Sequence, residues 1–217
     1  MSFSAIDPDT GHSHDADWFN VNRKKIGICP ICDSKIELRA EHSTTTVTHF
    51  WHGTGSDCPS IKRNRKRYED LPASSIDKEA GARLRAEVRR NLYAIYQTCS
   101  IIVDGLKYAD FRSMIEKATA KGILDYKGLQ LNYVPYVLLT FHDAFSSKES
   151  APRNGKYHIV LAPAIHNLDD LWNKPQSIKQ AVWKIYHDKG CIDEVRIKPN
   201  IDPIPEWFKE ATKKLNF

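Results

Sequence analysis

The chain has 217 residues and a formal net charge of +5, with 41% apolar and 27% charged side chains. That balance suits one medium globular domain, or a small module joined to a larger one, and excludes wholesale disorder. No apolar stretch reaches the roughly 18 residues of a membrane helix, and the acidic opening "MSFSAIDPDTGHSHDADW" lacks the basic-then-apolar order of a signal peptide, so a cytoplasmic protein without a membrane partner is expected.

The charge is unevenly placed. Residues 1–59 carry five basic and eight acidic side chains, whereas residues 60–90 carry ten and five. The chain therefore divides into a module over 1–60, a basic linker over 61–76, and a third region over 77–217 read as an α+β domain.

Three of the five cysteines fall between Cys29 and Cys58, together with His49 and His52. In a reducing compartment such clustering reads as metal ligation before it reads as disulfide bonding. Cys29-Pro30-Ile31-Cys32 is a C-x2-C pair, which supplies two of zinc's four tetrahedral positions from one tight knuckle. "KIELRA" alternates apolar and polar residues as a half-buried strand does. "TTTVTHF" is rich in β-branched residues and reads as the returning strand. A hairpin turning near His42–Ser43 carries His52 back towards Cys32, with Cys58 following the Gly53–Gly55 turn. The expected ligand set is Cys29, Cys32, His52 and Cys58, a closed Cys3His site for a structural Zn2+. His49 is expected roughly opposite Ile36, and a shifted turn exchanges it for His52. Trp51 either packs the ribbon against the body or stands exposed as a stacking platform.

The runs "AIDPDTG", "CPIC", "IELRA" and "HFWHGTGSDC" make residues 5–59 resemble the N-terminal zinc ribbon of competence protein CoiA-like families. The resemblance places Cys29, Cys32, His52 (or His49) and Cys58 on the family's metal-binding positions. In those families a nuclease-type domain follows the ribbon; for this chain the resemblance implies a nucleic-acid-related protein of bacterial or mobile-element type, and does not carry the nuclease over.

Five of the six residues from Lys62 to Arg67 are cationic. Lys62, Arg63, Arg65, Lys66 and Arg67 suit phosphate contacts on DNA or RNA, in which each cation releases a counterion. The bland reading of the same run is a solvated linker.

A long helix is expected from Ser74 or Ser75 as cap, with Asp77 and Glu79 in its first turn. Leu84, Val88, Leu92, Ile95 and Cys99 form its apolar stripe, and Arg83, Arg85, Arg89 and Arg90 extend the basic surface. A second helix is expected over about 109–121, stopped by Gly122. "NYVPYVLLTF" and "KYHIVLAP" read as strands, residues 177–188 as a helix, "DEVRIKP" as a short strand, and "PEWFKEATKKLNF" as a helix burying Trp207, Phe208, Ala211 and Leu215. The order from the first helix is α-α-β-β-α-β-α.

A restriction-type nuclease needs an acid on one strand and E-x-K on the next to hold a divalent metal. Asp143 closes one candidate strand, but "GKYHIVL" has no acid before its lysine, and Glu194 leads only to Arg196. His142-Asp143, and His158 and His166 with Asp169 and Asp170, are weaker candidate clusters. Cys99 and Cys191 read as structural, and Trp172 and Trp183 as core. The reading is a zinc-binding, nucleic-acid-binding protein. Its rivals are a divergent metal-dependent nuclease drawing on Glu87, Asp143 and Asp169, and a protein-interaction module.

Overall fold

The computed structural model describes residues 2–58, 60–61, 75–142, 144–146, 153, 155–161, 182–186, 192–195, 203–213 and 215. The fold is mixed α+β, with antiparallel hairpins first and helices after them.

The N-terminal sheet contains β1 (Ser4–Ile6), β2 (Ser13–Asp15), β3 (Ile26–Ile28), β4 (Lys35–Arg39) and β5 (His49–His52), in the order β2-β1-β3-β4-β5. It is larger than the hairpin read from the sequence, because β1, β2 and β3 join it. Ser2 exchanges both backbone hydrogen bonds with Phe50, at 3.4 and 2.7 Å, so the segment leading into β1 bonds to β5 as well and the sheet curls back on itself. Helix α1 (Ala16–Val21), capped by the Asp15 carboxylate, packs Phe19 edge-on against Phe50, with Ala5, Ile36 and Leu38 buried around them. Gly27 is the close approach in this core. A Cβ there would stand 2.5 Å from the Ala5 Cβ and 3.3 Å from the Phe19 ring.

The "AIDPDTG" run forms the β1–β2 turn. The buried Asp7 carboxylate accepts from Thr10 Oγ1 at 2.9 Å and from Lys24 Nζ at 2.6 Å, and Gly11 takes a left-handed φ of 70°. The Lys24 hydrogen bond holds the Asp7 carboxyl below its usual range, outweighing burial, which acts in the opposite direction.

The second half differs from expectation in several places. The long helix is two: α2 (Lys78–Arg90) and α3 (Leu92–Ile102) meet at Asn91. The cap is Asp77, whose side chain accepts the Ala80 N–H at 2.9 Å, rather than Ser74 or Ser75. The apolar stripe nevertheless runs through both helices, with Leu84, Val88, Leu92, Ile95 and Cys99 all buried. Helix α4 (Tyr108–Ala120) stops as expected, at Gly122 with a φ of 66°.

"NYVPYVLLTF" is not a strand but a 3-10 turn (Leu131–Tyr133) followed by α5 (Val134–Thr140). Pro135 stands in the first turn, where its missing N–H leaves no bond unmade. Residues 182–186, expected within a helix, form β7 (Val182–Tyr186) between β6 (Tyr157–Leu161) and β8 (Ile192–Val195). Val, Trp, Ile and Tyr make up four of its five residues and favour the pleated state. Among the described residues the order from α2 is therefore four helices, three strands and α6 (Glu206–Thr212). In α6, Phe208 is buried but Trp207 is 50% exposed, contrary to expectation.

Two buried cations tie the α3–α4 turn to the second sheet region. Arg153 donates to the carbonyls of Asp104, Gly105 and Ser146, and Lys184 on β7 reaches the Asp104 carboxylate at 2.8 Å. Among the described residues, no helix is long and apolar enough to cross a membrane.

Gly27→Ala is expected to destabilise the fold by about 1–3 kcal/mol through overpacking. Gly53→Ala, where a Cβ meets nothing within 4 Å, should stay within about 0.5 kcal/mol of the parent, as surface changes usually do. Urea unfolding midpoints distinguish the two. Asp7→Asn provides a second check. A carboxyl with a depressed folded pKa contributes stability above the ordinary carboxylate range and loses it as pH falls through the folded value. The advantage of the parent over Asp7→Asn should therefore be full at neutral pH and shrink below about pH 4.

Candidate metal centre

Cys29 directly follows β3 and opens a six-residue knuckle. The knuckle is closed by the Cys29 N–H donating to the Ser34 carbonyl at 2.8 Å and the Asp33 N–H donating to the Cys29 carbonyl at 3.0 Å. Asp33 adopts a φ of 53° to make the turn. The Ile31 N–H points at Cys29 Sγ, 3.5 Å away, an orientation that favours a thiolate there. Cys32 Sγ lies 2.9 Å from Ser34 Oγ.

The other two donors come from β5 and the turn after it. The β4–β5 register pairs Ile36 with His52, Leu38 with Phe50 and Arg39 with His49. His52 is therefore carried beside the knuckle, on the inward face with Phe50. The chain then turns at Gly53–Ser56, with Gly55 at a φ of 86°. Cys58 enters with its N–H on Ser56 Oγ and its sulfur 3.1 Å from Ser60 Oγ.

One atom from each of Cys29, Cys32, His52 and Cys58 lies within 4.8 Å of the other three. Cys29 Sγ and Cys58 Sγ are 3.9 Å apart, and Cys32 Sγ and His52 Nε2 are 3.7 Å apart. Cys29, Cys58 and His52 are buried and Cys32 is half-buried. The expected four residues are thus brought together, and the group is placed to hold a metal ion.

His49 is not part of it. It stands opposite Arg39 rather than Ile36, on the outward side of β5, with Nδ1 2.9 Å from the Val47 carbonyl. The hairpin centre lies past Ser43, and that displacement accounts for the difference.

Comparisons with protein-family models, curated proteins and solved structures found no match to this chain.

The electrostatics of the cluster are those of a cation site. Hydrogen bonding with Cys32 and Cys58 drives the Cys29 thiol strongly upward, while hydrogen bonding with Cys29 and Cys58 pulls Cys32 strongly downward. Burial acts to lower His52, but its contacts with the Cys32 and Cys58 sulfurs more than offset it and push the imidazole up to about 9. Three sulfurs this close cannot all ionise without a positive partner. All four donors are protein side chains, so a tetrahedral ion here has no position left for a reacting water.

The other candidates fare differently. Lys62, Arg63, Arg65, Lys66 and Arg67 lie outside the described residues, as do Asp143, His166, Asp169, Asp170, Trp172 and Cys191. Cys99 is core, fully buried. Arg85 is not part of an open basic face, because its guanidinium pairs with Asp125. His142 lies tilted against Phe145, with ring centres 4.4 Å apart, and His158 is buried within β6. Neither joins a metal-holding group among the described residues. Glu87 is exposed on α2, beside an open cleft of about 800 Å³ floored by Leu84, Ile95, Leu129 and Pro135. No sequence pattern announced that cleft.

Cys29→Ser and His52→Ala are each expected to lose the bound metal, while His49→Ala keeps one ion per chain. Elemental analysis of the purified variants reads the difference.

Proposed function

We propose that the protein is a zinc-binding, nucleic-acid-binding protein in which a structural Cys3His zinc orders the N-terminal module. The observation that carries the zinc assignment is the four-donor cluster. A tetrahedral zinc with bonds of about 2.3 Å to sulfur and 2.0 Å to nitrogen needs thiolates about 3.8 Å apart and sulfur–nitrogen edges of about 3.5 Å. Two of the six edges, at 3.9 and 3.7 Å, are close to those values, and all donors lie within 4.8 Å of one another. Thiolate and imidazole donors also suit zinc over magnesium or calcium, which take oxygen. When bound, the ion supplies charge neutralisation and a cross-link between knuckle and hairpin. The protein's own residues do the rest: Ile31 N–H and Ser34 Oγ orient the knuckle sulfurs, and Ser60 Oγ orients Cys58.

Nucleic acid as the partner is supported by the sequence that leaves the centre. Ile61 donates its N–H to the Cys58 carbonyl, and Lys62 to Arg67 follow at once, five cations in six residues. Such a run binds phosphate by releasing counterions. The resemblance of residues 5–59 to CoiA-like zinc ribbons supports the same reading and a bacterial or mobile-element setting. Nothing here specifies a base-reading mode, so binding is of low sequence specificity.

Fluorescence anisotropy with labelled DNA and RNA across a salt series tests this. The expected result is a steep salt dependence that flattens when Lys62, Arg63, Arg65, Lys66 and Arg67 are replaced by glutamine. Absence of binding at low salt reduces the run to a linker. Purified protein with well under one zinc per chain, unchanged by Cys29→Ser, removes the metal assignment.

A further inference from the structure

The outward face of β3–β4–β5 has no role in holding the metal, and its composition is unusual. An antiparallel sheet with one face on the core normally presents polar side chains on the other. Here one cross-strand row reads Ile26–Glu37–Trp51, and both Ile26 and Trp51 are 41% exposed. The next row places Arg39 opposite His49. The Arg39 guanidinium lies 5.0 Å from the centre of the Trp51 ring and pairs with the Glu37 carboxylate at 2.5 Å. Trp51 is thus a large, half-exposed ring with a cation beside it, one residue before the ligand His52.

Against this face lies a cleft of about 620 Å³, lined by Ile26, Glu37, Arg39, Glu41, His42 and Ser43 among others. Its two acids are each paired, Glu37 with Arg39 and Glu41 with Lys25 at 3.7 Å. The surface therefore does not repel a polyanion: Lys25, Lys35 and Arg39 stand against two carboxylates. The size falls within the range of small-ligand clefts, and the lining combines an apolar wall with hydrogen-bonding groups.

From these features we infer that the outward face of β3–β4–β5, with Trp51 as its stacking ring, binds unpaired bases of a single-stranded nucleic acid. The inference rests on the nucleic-acid reading and makes it more specific. Two arguments select this occupant. Lys25, Lys35 and Arg39 outnumber the two carboxylates of Glu37 and Glu41 on and beside this face, a balance that suits a phosphate backbone. A duplex, whose base faces are already covered by their neighbours, cannot use an exposed ring, whereas every unpaired base offers a π-face.

The test is anisotropy of labelled oligothymidylate and of a duplex of equal length, at matched salt, with the full chain. The parent protein should bind the single strand more tightly. Trp51→Ala should weaken single-strand binding roughly tenfold, the loss expected for one stacked base. Trp51→Leu keeps apolar surface while removing the ring, and should weaken binding equally while retaining one zinc per chain; Trp51→Phe should retain most of the affinity. The salt slope should be unchanged in all three, because no phosphate contact is removed. Equal affinity for single strand and duplex, or a zinc-loaded Trp51→Leu that binds like the parent, overturns the inference while leaving the nucleic-acid reading intact. A parent that binds neither oligonucleotide at low salt overturns both, and a protein captured by this face then takes the place of the strand.

Discussion

Three sulfurs and one imidazole nitrogen held within 4.8 Å of one another form the constraint on which the N-terminal module turns. The groups cannot be close, buried and ionised together unless a cation neutralises them. Their convergence fixes the β4–β5 register, since only the pairing of Ile36 with His52 carries the imidazole to the knuckle. The same register decides which face is core. Ile36, Leu38, Phe50 and His52 go inward, and Lys35, Glu37, Arg39 and Trp51 go outward. A slip by one residue would expose the core set and withdraw the histidine at once, so metal ligation and hydrophobic burial select the same alignment.

That double selection explains why this part of the molecule was legible in the sequence. The C-x2-C pair, the alternation in "KIELRA" and the glycine turn before Cys58 each report on local geometry, and they agree with one another. What escaped was the non-local part. Nothing in "MSFSAIDPDTG" says that Ser2 will bond to Phe50, or that Asp7 will be buried under Lys24, because these pairings depend on where distant segments arrive.

The misreadings further along have a common physical cause. Residues 134–140 and 182–186 are buried almost all round, so neither shows the polar side from which a period of 3.6 or 2 is recognised. In the first, a run rich in valine and tyrosine read as a strand, whereas Pro135 stands in the first turn of a helix. In the second, apolar residues spaced three and four apart suggested a helix in a segment rich in strand-forming side chains. Arg85 was misplaced for a different reason. A cation off the apolar stripe looks solvated until a partner such as Asp125, far along the chain, is found beside it.

The pairing of Ser2 with Phe50 also bears on how the chain acquires its shape as it is made. Ser2, just ahead of β1, can complete these bonds only once Phe50 has been made, nearly the whole module later. Closing so long a loop costs chain entropy before any contact repays it. Cys58 comes only a few residues after Phe50, so the fourth ligand and the final strand partner become available together. The fourth donor and the closure of the sheet therefore depend on the same short stretch of chain, from Phe50 to Cys58.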